Sequence, residues 1–255
     1  MTTAPNGTPC WYELTTSNPD GAQAFYAAVI GWTIAGAGMP GMDYRLASAG
    51  GDMVAGIWVP DEPGMPTFWM LYFTAPNCDT AAKAVTKAGG TLHKGPFDIP
   101  GTGRFAIVAD PQGAVFGILQ PLDANGNAFD QKQTGHGNWH QLMTSDPKAA
   151  FAFYSALFGW KAGTSMDMGA MGSYDLFSHA GADIGGMMRQ APNLPGPGVP
   201  FWLPYFGVDG INAAAARITA AGGKVVNGPH DVPGGAFIVV GQDPQGAMFA
   251  LVGPK

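Results

Sequence analysis

An alternating, strand-like stretch opens the chain, a helical spacing follows it, and this succession recurs along the sequence. Residues 11–16 alternate and are rich in strand formers. Ser17, Asn18 and Pro19 then mark a helix start: a capping side chain, followed by a proline in the first turn, where an N–H has no partner in any case. Ala22, Phe25, Tyr26 and Val29 fall at helical spacing, and Gly31 is a residue that ends helices. Short strands are expected around 44–48 and 53–59. A second unit begins with a strand over 67–74. Its helix covers about 78–88 and is closed by Gly89 and Gly90, and strands near 104–109 and 114–120 flank a DPQG turn. Each unit is a strand, a helix, then two or three strands.

The whole pattern is duplicated. Residues 11–32 (WYELTTSNPDGAQAFYAAVIGW) align without a gap on 139–160 (WHQLMTSDPKAAFAFYSALFGW), with roughly half of the positions identical. FWMLYF (68–73) answers FWLPYF (201–206), AGGTLHKGPFDIPG (88–101) answers AGGKVVNGPHDVPG (221–234), and DPQGAVFGIL (110–119) answers DPQGAMFALV (243–252). The polar, aperiodic segment 122–136 reads as a linker between domains over 9–121 and 137–253. The expected fold is α+β: four βαβββ modules forming two curved-sheet domains in one chain, a pseudo-dimer. A βαβββ unit has one apolar sheet face to cover. Paired units can enclose a concave, aromatic-walled hollow suited to a small molecule.

Composition narrows the functional classes. Charged residues are only 12% of the chain and the net charge is −6, with no block of Lys or Arg. That excludes an electrostatic footprint for nucleic acid or an anionic membrane. The first ten residues have neither a basic region nor an apolar run, and no stretch approaches a membrane span. A cytoplasmic protein with two reduced thiols, Cys10 and Cys78, is expected.

The strand–helix opening ending in AFY…GW, the helix ending in AGG, the GPxDxPG turn and DPQGAxF before a last strand resemble the vicinal oxygen chelate superfamily. That superfamily includes glyoxalase I, bleomycin-resistance proteins and extradiol dioxygenases. The resemblance covers nearly the whole chain and is closer still to tandem glyoxalase-like proteins. It implies ligand positions on the inner sheet face: a His on the first strand, an acid on a middle strand, a His on the strand opening the second unit, and a Glu on the last strand. Carried over by motif, these positions fall at Trp11, near Gly56, at Trp69 and at Gly117. In the second copy they fall at Trp139, Gly185 or Gly186, Trp202 and Ala250. None of these side chains binds a divalent cation, so no metal and no other cofactor is expected. Tryptophan in vacated ligand positions points to a flat, apolar floor. The histidines do not restore a metal site. His140 faces away from Trp139 and Gln141, and His93, His136, His179 and His230 belong to the linker, turns or a strand end. Surface or capping roles are expected for all five.

Glu13 alternates with Trp11 and so faces the hollow. A carboxyl beside indole rings is desolvated, which raises its pKa toward a range useful for general acid–base work. The plain alternative is a carboxylate held by a neighbouring strand. Its counterpart Gln141 can bind but cannot exchange a proton. Arg104 is a candidate for a ligand carboxylate or for pairing with Glu13, against a solvated strand-end role. Tyr44 and Tyr174 match between copies, as do Tyr72 and Tyr205, and either pair could offer a phenol to a ligand or pack in the core. The expected function is binding of a small, largely apolar or aromatic ligand, without metal, with Glu13 as possible acid or base. The alternative is a metal-dependent lyase or extradiol-type dioxygenase of the same superfamily. Association into a homodimer is left open.

Overall fold

A computed structural model describes residues 5–39, 41–60, 64–122, 126–190 and 196–255. Of the expected linker, residues 123–125 lie outside the described residues. The first half contains β1 (Pro9–Thr15), α1 (Pro19–Ile30), β2 (Thr33–Gly36), β3 (Tyr44–Ala49), β4 (Asp52–Trp58), β5 (Phe68–Thr74), α2 (Cys78–Lys87), β6 (Thr91–Ile99), β7 (Gly103–Ala109) and β8 (Val115–Pro121). The second half repeats the order with β9 (Gly137–Thr144), α3 (Pro147–Phe158), β10 (Lys161–Asp167), β11 (Ser173–His179), β12 (Ala182–Arg189), β13 (Phe201–Gly207), α4 (Ile211–Ala220), β14 (Lys224–Val232), β15 (Ala236–Gln242) and β16 (Met248–Gly253). The chain is therefore α+β with four βαβββ modules, as its periodicity implies.

Local chemistry sets the element ends. The Asn18 side chain accepts a hydrogen bond from the Gly21 amide at 3.0 Å, Pro19 begins α1, and Gly31 closes it at φ +90°. Asp146 and Gly159 do the same for α3. The paired glycines after α2 divide two tasks. Gly89 adopts φ +89°, whereas a Cβ on Gly90 would collide with the Ala109 carbonyl. The GPFDIPG segment, expected as a turn, lies mostly within β6. Register shifts between Leu92 and Phe97 let that strand stay paired with β7.

Strands pair in the order β2-β3-β4-β1-β5-β8-β7-β6, and the second half repeats it as β10-β11-β12-β9-β13-β16-β15-β14. β1 runs parallel to β4, with Glu13 opposite Gly56 and Thr15 opposite Trp58. β3 runs antiparallel to β4, with Tyr44 opposite Trp58 and Leu46 opposite Gly56.

Compactness does not follow the two sequence repeats. One compact unit comprises 1–10, 71–126 and 140–202, and the other 11–70, 127–139 and 203–255. Each joins one module from each half. In the second unit α1 packs beside α4, over a core of Tyr12, Phe25, Tyr26, Trp32, Trp69, Phe206 and Phe249. In the first, α2 packs beside α3, and Phe73, Phe116, Tyr154, Phe158, Trp160, Phe177 and Trp202 form the aromatic core. No helix among the described residues is long and apolar enough to cross a membrane.

Candidate functional site

Alternation along β1 separates two sets of side chains. Tyr12 and Leu14 are fully buried in the core, while Trp11, Glu13 and Thr15 point to the opposite face. Residues directly opposite on paired strands share a face, so Gly56 and Trp58 of β4 and Tyr44 and Leu46 of β3 join that set. A Cβ at Gly56 would strike the Tyr44 hydroxyl. The missing side chain is what lets the phenol lie across β4 toward β1.

There it completes a short chain of hydrogen bonds. The Trp11 indole N–H donates to the Tyr44 hydroxyl at 3.0 Å, and that hydroxyl donates to Glu13 Oε2 at 2.9 Å. Glu13 is 9% exposed. Burial, and next the negative charge of Glu13, hold the Tyr44 pKa well above its ordinary value, so the phenol keeps its proton. The structure thus brings together Trp11, Glu13 and Tyr44. It also adds Thr15, which shares the face of Trp11 and Glu13 by strand parity, and Trp58, which sequence reasoning passed over. Strand pairing was the missing signal: Trp58 joins the set only once β4 is known to lie between β1 and β3.

The equivalent face of the second half keeps the geometry and loses the charge. Gln141 lies opposite Gly186, and the Tyr174 ring fills the space above that glycine. The Gln141 amide donates to the sulfur of Met143 at 2.9 Å and of Met188 at 3.5 Å, both weak acceptors. Trp139 is half-buried near the start of β9.

Trp69 and Trp202 are placed elsewhere. Trp69 is 3% exposed and packs against Tyr26, Trp32 and Phe206, with its indole N–H on the Tyr26 hydroxyl at 2.8 Å. Trp202 repeats this with the Tyr154 hydroxyl at 3.0 Å. Both indoles belong to aromatic cores. On β5 it is Tyr72 whose ring lies over Gly117, where a Cβ would collide with it. Arg104 is also committed elsewhere. Its guanidinium grips both oxygens of Asp79, at 2.8 and 3.2 Å, and Asp98 at 2.8 Å, and these carboxylates raise its pKa further.

Two histidines expected at the surface are buried. His140 is fully enclosed, with its Nδ1 donating to the Ile184 carbonyl at 2.7 Å, and burial lowers its pKa to about 4. His136 is 1% exposed, between the Thr134 carbonyl and Asp52. Burial raises the Cys10 and Cys78 thiols, the latter to about 11, so neither is a thiolate at neutral pH.

The sequence profile of the Glyoxalase/Bleomycin resistance protein/Dioxygenase superfamily matches residues 10–118 and 136–251. The chain belongs to this superfamily. It is 31% identical to the anthracycline biosynthesis protein DnrV of Streptomyces peucetius, over 99% of this chain and 95% of that protein. Among solved structures, the Mn(II)-bound glyoxalase from Novosphingobium aromaticivorans matches 98% of this chain and 82% of its own, with a TM-score of 0.68 and 16% identity. The 2,3-dioxygenase LapB from Pseudomonas sp. KL28 matches 98% and 93%, with a TM-score of 0.67 and 14% identity. At such identities the likeness to these two structures is one of fold.

Superfamily membership raises the question of a metal, which can be put to the donor chemistry of the described residues. Divalent transition metals take imidazole, carboxylate or thiolate donors, at least three from the protein. Among the described residues no three or more His, Cys, Asp or Glu come together in that way. The Glu13 face offers one carboxylate beside a phenol, a hydroxyl and indoles. These residues do not fit a metal of the superfamily type.

Proposed function

We propose that this protein binds a small, largely apolar or aromatic molecule against the sheet face that carries Glu13, without a divalent metal, and that Glu13 is the group able to exchange a proton with it. The observation that carries the reading is the Trp11–Tyr44–Glu13 chain. A carboxylate held at 9% exposure by a phenol is fixed in position, and a fixed carboxylate in aromatic surroundings is suited to a ligand hydroxyl or an acidic C–H. Trp11 and Trp58 supply flat surface beside it. The relative DnrV, named for anthracycline biosynthesis, supports a planar, fused-ring aromatic as the ligand class.

Two measurements test this. Purified protein is incubated with Zn²⁺, Ni²⁺, Fe²⁺ and Mn²⁺, desalted and assayed for metal. The expected content is far below one equivalent. Near-stoichiometric metal would replace this reading with a metal-dependent lyase or extradiol-type dioxygenase. Glu13→Gln then separates binding from catalysis. With a true substrate, turnover should fall roughly 100-fold or more if Glu13 moves a proton. Affinity should stay within a few-fold of the parent if it only holds the ligand.

A further inference from the structure

Thr15 lies two residues beyond Glu13 on the same face of β1, roughly 7 Å along the strand. It is 1% exposed, and its hydroxyl has no hydrogen-bond partner among the described residues. Such groups are few in native proteins, and each calls for a partner such as water or a ligand. The fold does not require a hydroxyl here, because the second copy has Met143 at the same place. Thr144 is also unpartnered, but alternation puts it on the opposite face of its strand, away from Gln141.

The contrast between the copies runs along a whole row. Glu13, Thr15 and Trp58 become Gln141, Met143 and Met188, and the pairing that sets Thr15 opposite Trp58 sets Met143 opposite Met188. A carboxylate, a hydroxyl and an indole are replaced together by an amide and two thioethers. Meanwhile Tyr44 and Tyr174 keep the same position over a glycine.

We propose that Thr15 and Trp58 are specificity-determining residues of the Glu13 site. The Thr15 hydroxyl bonds one oxygen of the ligand, Glu13 accepts from a second, and the Trp58 indole covers the ring between them. This rests on the binding function proposed above and goes further. The ligand is a planar aromatic with at least two oxygen substituents on separate ring positions, and it binds once per chain, on the first copy only.

The test titrates the full chain with quinizarin, a dihydroxylated anthraquinone, and with unsubstituted anthraquinone. Tryptophan fluorescence is followed for the parent, Thr15→Val, Thr15→Ser and Glu13→Gln, and the thermal midpoint of each is recorded. Quinizarin should bind one per chain and more tightly than anthraquinone. Thr15→Val should weaken it about tenfold, the loss of one hydrogen bond, with a midpoint no lower than the parent's. Thr15→Ser should restore affinity to within two- to threefold. Unchanged affinity in Thr15→Val, a lowered midpoint in that variant, or equal binding of the two quinones would overturn the role of Thr15 while leaving the binding function standing. Quenching by neither quinone would overturn both.

Discussion

Replacing Tyr26 with Phe removes one oxygen from the middle of a buried chain. The Trp69 indole N–H donates to the Tyr26 hydroxyl at 2.8 Å, and that hydroxyl donates to Asp243 Oδ2 at 3.0 Å. The other Asp243 oxygen already accepts from the Gln245 and Ala247 amides. Tyr26, Trp69 and Asp243 are 0%, 3% and 4% exposed, so water does not substitute for the lost group. Phe fills nearly the same volume, and the cost is therefore that of two stranded polar atoms, about 1–3 kcal/mol each. A total of about 3 kcal/mol is expected, which for a chain of this size lowers the thermal midpoint by roughly 6–12 °C. Urea unfolding followed by circular dichroism measures the first quantity and calorimetry the second. The Tyr26 hydroxyl also lowers the Asp243 pKa against the larger effect of burial, which raises it. The deficit of Tyr26→Phe should thus be full at neutral pH and shrink as pH falls through the folded pKa of Asp243. A loss below about 1 kcal/mol would refute the reasoning. So would a cost for Trp69→Phe that is the same whether or not the Tyr26 hydroxyl is present, because members of one network must couple.

His140 is held neutral, with its pKa lowered from 6.5 to about 4. The unfolded chain therefore binds the extra proton first, and stability is full above pH 6.5 and falls as pH drops toward 4; His140→Asn, which keeps a donor for the Ile184 carbonyl, should remove about 2 kcal/mol of the fall in unfolding free energy between pH 7.5 and 5, measured by urea unfolding relative to the parent. Tyr44→Phe leaves the Trp11 N–H and one Glu13 oxygen without the phenol, and about 1–3 kcal/mol should be lost in urea, with a change in tryptophan emission. Gly90→Ala drives a methyl into the Ala109 carbonyl and should cost about 1–3 kcal/mol, whereas Gly36→Ala meets nothing within 4 Å and should stay within about 0.5 kcal/mol. Equal effects of these two glycine changes would remove the packing explanation of the AGG motif.

Most of the architecture was legible because it rests on local signals. The Asn18 and Asp146 caps, the left-handed Gly31 and Gly159, and the duplicated motifs each fix an element without reference to distant residues. Glu13 was legible through strand alternation, and so was its face. The error lay in carrying a face from β1 to β5. Counting along motifs puts Trp69 with Trp11, but its indole bonds the Tyr26 hydroxyl in the core, and Tyr72 takes the position over Gly117. Parity within a strand is a local property; phase between strands depends on pairing. The burial of His136 and His140 is not legible for a related reason, since Asp52 and the Ile184 carbonyl, which they meet, are far away in sequence.

The motifs that make the repeats recognisable also explain why two copies share one chain. Tyr26 of the AFY motif in the first copy bonds Asp243 of the DPQG motif in the second, and Tyr154 of the second bonds Asp110 of the first at 3.1 Å. Each copy therefore supplies half of two buried networks and completes neither by itself. An isolated half would expose the Tyr and Asp groups that these bonds satisfy. This constraint falls on the bonded side chains, and those agree between the copies: Tyr26 with Tyr154, Trp69 with Trp202, Asp110 with Asp243. Glu13, Thr15 and Trp58, none of which makes either of these two exchanged bonds, give way to Gln141, Met143 and Met188. Their divergence leaves the exchanged Tyr–Asp bonds intact, so the two copies can differ in charge on the Glu13 face while both keep a tyrosine over a glycine.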